Sequence, residues 1–239
     1  LNLIAHQVGP AVASGCPVLV KPAKDTPLSC KSFVEILYEA GLDERWCRFV
    51  PCSNDVAEQM VIDSRTAFFS FIGSARVGWM LRSKLAPGTR LALEHGGAAP
   101  VLVDEGVASG KVIPPLLKGG FYHSGQVCVS VQRVFVPRAE LPDFAAELAE
   151  GAEALTVGDP TKAETQCGPL IRPAEVDRVA SWVDAAVQGG ARLAAGGKRM
   201  GSTLYQPTVL VDPPCDADVS QKEVFGPVVC IYGYDDVDA

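Results

Sequence analysis

Cys128 ends the stretch Phe121-Tyr122-His123-Ser124-Gly125-Gln126-Val127-Cys128. A thiol that follows a Gly-Gln turn at the end of a helix can be held open to a pocket. As thiolate it is a nucleophile, provided a base or a positive field lies nearby. The plainer alternative is a small buried hydrophobe, which is what most free cysteines are. Glu94 is followed by His95-Gly96-Gly97. A carboxylate beside two glycines can approach a reacting centre unobstructed, and partial desolvation raises its pKa toward the range of a general base. The alternative there is an exposed or salt-bridged surface carboxylate.

Three further stretches could hold a ligand. Phe71-Ile72-Gly73-Ser74-Ala75-Arg76-Val77-Gly78 reads as strand, turn, then helix, which turns backbone N–H groups and a helix dipole toward a phosphate. Its spacing is Gly-x-x-x-x-Gly rather than the Gly-x-Gly-x-x-Gly of the usual dinucleotide fold. Lys21 and Lys24, in KPAKDTP, sit where a strand end can offer ammonium groups to ribose hydroxyls or a phosphate; a solvated turn is the alternative. In Glu223-Val224-Phe225-Gly226-Pro227 a carboxylate can bind a ribose diol while an aromatic two residues on packs against a flat ring. Otherwise this is a loop entering an edge strand.

The elements that must position these groups alternate. Ile4, Val8 and Val12 recur at helical spacing before Val18-Leu19-Val20, a short apolar strand ending at Lys21. Thr26-Pro27 is expected to open a helix with Thr26 as cap and a stripe of Phe33, Ile36, Leu37 and Ala40. Strands follow at 48–50, 67–72 and 91–93, with helices around 56–62 and from Gly73 toward Lys84. This βαβαβαβ rhythm predicts a doubly wound parallel sheet, whose ligands sit outside the carboxyl ends of the strands. Lys21, Gly73-Ser74 and Glu94 all fall at such ends. Beyond Gly97 the pattern restarts: strands at 101–103 and 131–136, a helical stretch reaching toward Gly125, helices at 144–155 and 174–187, and strands at 208–211 and 228–232. A domain boundary is therefore expected near Gly97, dividing the chain into 1–97 and 98–239.

Composition bounds the rest. With 239 residues, 48% hydrophobic, 21% charged and a formal net charge of −7, the chain has an ordinary globular balance and no basic block with which to neutralise nucleic-acid phosphates. Residues 1–20 carry no formal charge, but Asn2, His6, Gln7 and Ser14 and the pairs Gly9-Pro10 and Cys16-Pro17 argue against a membrane span or a signal peptide. Eight cysteines without a Cys-x-x-Cys pair and three scattered histidines favour neither zinc nor a disulfide scaffold; reduced thiols in a cytoplasmic protein are expected.

Taken in order, KPAKDTP, FIGSARVG, LEHGG, GQVC, GDPTKAETQCGPLI, QPTVLVDPP and EVFGPVV resemble the NAD(P)-dependent aldehyde dehydrogenase superfamily over essentially the whole chain. The resemblance implies a Rossmann-like cofactor portion in 1–97 and an α/β catalytic portion in 98–239. It makes Cys128 the catalytic thiol and Glu94 the general base. Gly73 and Ser74 become the pyrophosphate turn, Lys21 the adenosine-ribose ligand, and Glu223 with Phe225 the pair that positions the nicotinamide ribose and ring. His95 departs from a common Glu-Leu-Gly-Gly. Lys24 stands where strongly NAD-preferring members often carry Glu, so NAD or NADP is expected, with a 2′-phosphate tolerated. Uncharacterised bacterial members similar to the semialdehyde and lactaldehyde-type branch look nearest in wording.

The same resemblance implies longer proteins at both ends, an expectation in keeping with Leu at position 1. An asparagine oxyanion donor would precede Leu1, and loss of one such donor costs about 10²–10³ in rate. Oligomerisation strands would follow residue 239, and a homodimer or homotetramer is expected of the full-length protein. The implied chemistry is oxidation of a small aldehyde to a carboxylic acid through a thiohemiacetal and a thioester on Cys128, without a metal. Three alternatives stand beside it. A thiol hydrolase pairing Cys128 with a histidine leaves FIGSARVG and EVFGP unexplained. A CoA-acylating dehydrogenase does not generally rely on a glutamate at the Glu94 position. A non-catalytic fragment or assembly partner is the third. Tyr122 and His123, just before the thiol, would suit a polar or carboxylated aldehyde, or may be read equally as helix packing.

Overall fold

The computed structural model describes residues 2–237. The chain forms two compact units, Leu1–His95 and Gly96–Ala239.

In the first unit, α1 (Asn2–Ala13) buries Val8 against α2 (Leu28–Glu39) and β1 (Val18–Val20). The inward stripe of α2 is Cys30, Phe33, Val34 and Leu37, an i, i+3, i+4, i+7 series. Ile36 and Ala40, expected on that stripe, face outward. Thr26 is not the cap of α2. Pro27 occupies that position, without a side-chain hydrogen bond, because its fixed φ of −77° already suits the helix entry. β1 pairs in parallel with β2 (Cys47–Phe49). After α3 (Asn54–Ile62), whose cap Ser53 accepts from the Val56 amide, β3 (Phe68–Ile72) pairs in parallel with β4 (Arg90–Glu94) around α4 (Ala75–Arg82). The expected parallel order is present, as two separate two-stranded ladders.

The second unit holds β5 (Ala99–Leu102), α5 (Ser109–Phe121), β6 (Val131–Pro137), α6 (Leu141–Glu153), α7 (Pro173–Gln188), β7 (Arg192–Ala195), β8 (Thr208–Val211), α8 (Asp218–Gln221) and β9 (Val228–Tyr234). Its sheet runs β5-β6-β9-β8-β7, parallel except where β7 meets β8. Successive strand residues point to opposite faces. Val209, Val211, Val229 and Ile231 accordingly enter the layer with α5 and α6, whereas Leu210, Val228 and Cys230 enter the layer with α7. Both faces of this sheet are thus covered, the arrangement expected of a doubly wound α/β unit. The helix expected to reach toward Gly125 stops at Phe121: His123 and Ser124 take φ of +50° and +58°, which no right-handed helix can contain. No helix among the described residues is long and apolar enough to cross a membrane.

Candidate active site

In the first unit, the strand ends collect the chemistry-bearing residues. Glu94 is the last residue of β4 and lies opposite Ile72, the last of β3. The Gly73 amide donates to the Glu94 backbone carbonyl at 3.2 Å, so the Gly73-Ser74 turn and the Glu94 backbone are neighbours. Ser74 precedes α4 in extended geometry, and its hydroxyl makes no capping bond. The Ser74 carbonyl accepts from the Val77 and Gly78 amides at 3.1 and 3.0 Å, which starts the helix. Glu94 is exposed. Lys21 follows the end of β1, half-buried, with Nζ donating to the Pro22 carbonyl at 2.9 Å, and Lys24 is exposed on the same loop. His95 turns inward against Trp79, ring centroids 5.8 Å apart, and both its ring nitrogens are buried without a hydrogen-bond partner among the described residues. The imidazole fits only because residue 78 is glycine; a Cβ there would fall on its Cε1.

In the second unit the thiol sits on a turn that other residues hold rigid. His123, Ser124 and Gly125 are three consecutive residues in the left-handed region, a conformation that costs the two non-glycines about 1–3 kcal/mol each. Surrounding bonds hold the run in place. Ser124 Oγ donates to the Gly168 carbonyl at 2.6 Å. The Gln126 amide donates to the carbonyls of His123 and Pro169, both at 3.1 Å, and accepts from the Ile171 N–H at 2.9 Å. The Ser130 N–H closes the turn onto the Val127 carbonyl at 2.9 Å, and its hydroxyl reaches the end of α5. Cys128 lies inside that turn, half-buried. Cys167, buried behind it, donates to Ser124 Oγ at 3.5 Å, and burial pushes its thiol up, so it stays protonated.

The loop carrying Glu223 and Phe225 packs directly behind the thiol turn. A Cβ on Gly125 would overlap the Gly226 carbonyl, so two backbones touch where side chains would separate them. Phe225 has a φ of +48° and a ring 41% exposed. Glu223 folds inward until its carboxyl occupies the space a Cβ of Gly96 would need. Its Oε1 is buried without a hydrogen-bond partner among the described residues. Burial pushes the Glu223 carboxyl above the usual carboxylate range, against the opposing influence of the Gly97 amide and the Arg178 guanidinium. Gly97, Gly125, Val127, Gln132, Glu223 and Phe225 line one small pocket.

Residues 1–239 match the model of the aldehyde dehydrogenase family. The chain belongs to that family. The 3-sulfolactaldehyde dehydrogenase of Priestia aryabhattai is 37% identical over 239 residues, which is 100% of this chain and 50% of that protein. Among solved structures, aldehyde dehydrogenase 21 from Physcomitrella patens in complex with the reaction product succinate superposes with a TM-score of 0.94 at 36% identity, covering 99% of this chain and 49% of that one. A Mycobacterium tuberculosis aldehyde dehydrogenase complexed with NAD+ gives 0.94 at 31%, covering 99% and 50%. The glyceraldehyde-3-phosphate dehydrogenase GapN from Methanocaldococcus jannaschii complexed with NADP gives 0.93 at 31%, covering 99% and 52%. The chain thus spans about half the length of the relatives it matches.

Within this aldehyde dehydrogenase chain, Gly73, Ser74 and Glu94 come together in the first unit. Cys128, Glu223 and Phe225 lie on two loops that are packed together in the second. Sequence reasoning overlooked the residues that fix the second set: Ser124, Gln126 and Gln132. A signal for Gln132 was present. On β6 it takes the same inward phase as Val134 and Val136, and a polar residue in a row of buried valines must have partners.

Proposed function

We propose that this chain carries the thiol and cofactor-contact residues of an enzyme that oxidises an aldehyde to a carboxylic acid with NAD or NADP. One observation supports the reading: the close backbone approach of Gly125 and Gly226, which packs the turn that carries Cys128 against the loop that carries Glu223 and Phe225. The residues present fit a pyridine nucleotide. Glu223 offers a buried oxygen with no protein partner, as a ribose diol requires, and Phe225 offers a half-open ring held in a strained loop. Gly73 and Ser74 would hold the pyrophosphate at the start of α4, and Lys21 the adenosine ribose. Lys24 would accept a 2′-phosphate.

Cys128 attacks the aldehyde carbon as thiolate, forming the C–S bond and leaving the electron pair on oxygen as a thiohemiacetal oxyanion. A nicotinamide held by Glu223 and Phe225 would supply the acceptor for the hydride that this carbon gives up. A thioester remains on Cys128. Glu94, through water, takes the thiol proton before attack and later activates the water that hydrolyses the thioester, which returns the acid and the free thiol. For the substrate, the names of the sulfolactaldehyde relative and the succinate complex support an aldehyde with an anionic far end, which Tyr122 and His123 could meet with a hydroxyl and an imidazole. A cytoplasmic homodimer or homotetramer of the full-length protein belongs to the same proposal.

A panel of aldehydes assayed with NAD and NADP by nicotinamide absorbance tests the reading. Cys128→Ser should abolish turnover while nucleotide still binds, and Glu94→Gln should slow thioester hydrolysis more than binding. Full turnover in Cys128→Ser overturns the mechanism, and an unchanged hydrolysis rate in Glu94→Gln removes the base.

A further inference from the structure

Gln132 is 4% exposed on β6, and its side-chain amide is spent entirely on the segment that carries Glu223. Nε2 donates to the Lys222 carbonyl at 2.7 Å and to the Val219 carbonyl at 2.9 Å, while Oε1 accepts from the Val224 N–H at 2.8 Å. The Lys222 carbonyl belongs to the peptide unit before Glu223 and the Val224 N–H to the unit after it. One side chain therefore pins both peptide planes that flank the Glu223 Cα. Arg178 completes the hold from α7: its Nη2 donates to the Val224 carbonyl at 2.7 Å, and its guanidinium stacks on Trp182 at 4.7 Å. The segment has no ladder partner at Glu223 itself, so its backbone direction there depends on these side chains.

We infer that Gln132 is the positioning residue for Glu223: by fixing the two adjoining peptide planes, it sets where the carboxyl is presented to the nicotinamide ribose. The inference rests on the reading of Glu223 as the ribose ligand. The direction of the amide matters as well as its size. A side chain that only accepts holds Val224 but releases Lys222 and Val219. A side chain that does neither gives up all three bonds: the buried Val224 N–H loses its partner, and the Val219 carbonyl keeps only the Cys230 thiol at 3.9 Å.

The test is a binding cycle on the protein with NADH as fluorescent probe, alongside steady-state KM for nucleotide and kcat. Gln132→Met is expected to weaken NADH binding about tenfold, and Gln132→Glu, which sets an acceptor against the Lys222 and Val219 carbonyls in a buried place, by at least as much. Nucleotide KM should rise more than kcat falls. Glu223→Gln should also weaken binding, and adding Gln132→Met to it should weaken binding little further, because both act through one carboxyl. Additive losses, or NADH binding within about twofold of wild type in both Gln132 variants, overturn the inference. Unchanged binding in Glu223→Gln alone overturns the reading of Glu223, a separate result. Amide exchange at Val224 in Gln132→Glu guards against general unfolding. It should stay close to wild type there while the Lys222 side of the loop loosens, and uniform loss of protection across β6 and β9 would make Gln132 merely structural.

Discussion

In Gly96–Ala239 the inner strands are covered on both faces, and Val209, Leu210, Val229 and Ile231 are fully buried in alternation. In Leu1–His95 the middle residue of β1, Leu19, is 61% exposed, Phe68 at the start of β3 is 57% exposed, and the buried cluster is built on Val8, Val34 and Cys47. The way each unit holds its functional residues follows from this. The second unit has depth enough to bury amide side chains such as Gln132 and spend them on loop backbone. The first unit relies on strand ends and helix starts, where ladder bonds and turns fix the backbone and leave Glu94 and Ser74 at the surface. Buried networks hold a nucleophile within a narrow geometry, whereas exposed strand ends tolerate the arrival and departure of a large ligand.

The sharpest way to break this contrast is to truncate one side chain in each unit. Ile231→Ala should cost about 2–5 kcal/mol, the usual range for a buried aliphatic, whereas Leu19→Ala should cost less than about 1 kcal/mol. Urea unfolding followed separately at Trp182, in the second unit, and at Trp46 and Trp79, in the first, measures both. Equal costs would dissolve the distinction.

Alkaline pH gives a smaller effect. Burial pushes the Cys230 thiol up to about 12 and the Tyr205 hydroxyl up to about 12. The folded state therefore holds these protons more tightly than the unfolded chain. The stability they contribute is intact below about pH 9, near the free thiol's own range, and is lost as pH rises toward about 12. Cys230→Val should flatten the decline of the Trp182 transition between these limits. An equally steep decline would mean that Cys230 contributes nothing.

The smallest effect runs the other way. Since burial raises the Glu223 carboxyl, its contribution is present at acid pH and lost as pH rises through its folded value, leaving a penalised carboxylate at neutrality. Glu223→Gln should therefore raise the melting temperature at pH 7 while weakening nucleotide binding, a trade of stability for function. A lower melting temperature would show that the charge is better compensated than its unpartnered oxygen suggests.

Much of this was legible beforehand because the strands are short apolar runs with few competitors. Residues 18–20, 68–72, 131–137 and 228–234 stand out as β-branched and aromatic stretches. β7 did not: Arg192-Leu193-Ala194-Ala195 has no β-branched residue, and its strand exists because it pairs antiparallel with β8. On α2, Phe33 and Leu37 lie on the expected stripe but Ile36 and Ala40 do not, since Ile36 looks as apolar as Val34 and only packing separates them. The thiol and carboxylate candidates were visible through neighbouring glycines. Gln126 and Gln132 were passed over because an amide side chain shows its value only when the backbone groups it serves, from residues 123–171 and 219–224, are seen beside it.

The meeting of Gly125 with Gly226 has an engineering consequence. The turn that carries Cys128 and the loop that carries Phe225 meet backbone to backbone, with no side chain between them to trim or enlarge. A substitution meant to reshape one of these loops without moving the other must therefore start from outward residues such as Tyr122 and Val129, because at that contact neither loop shifts alone.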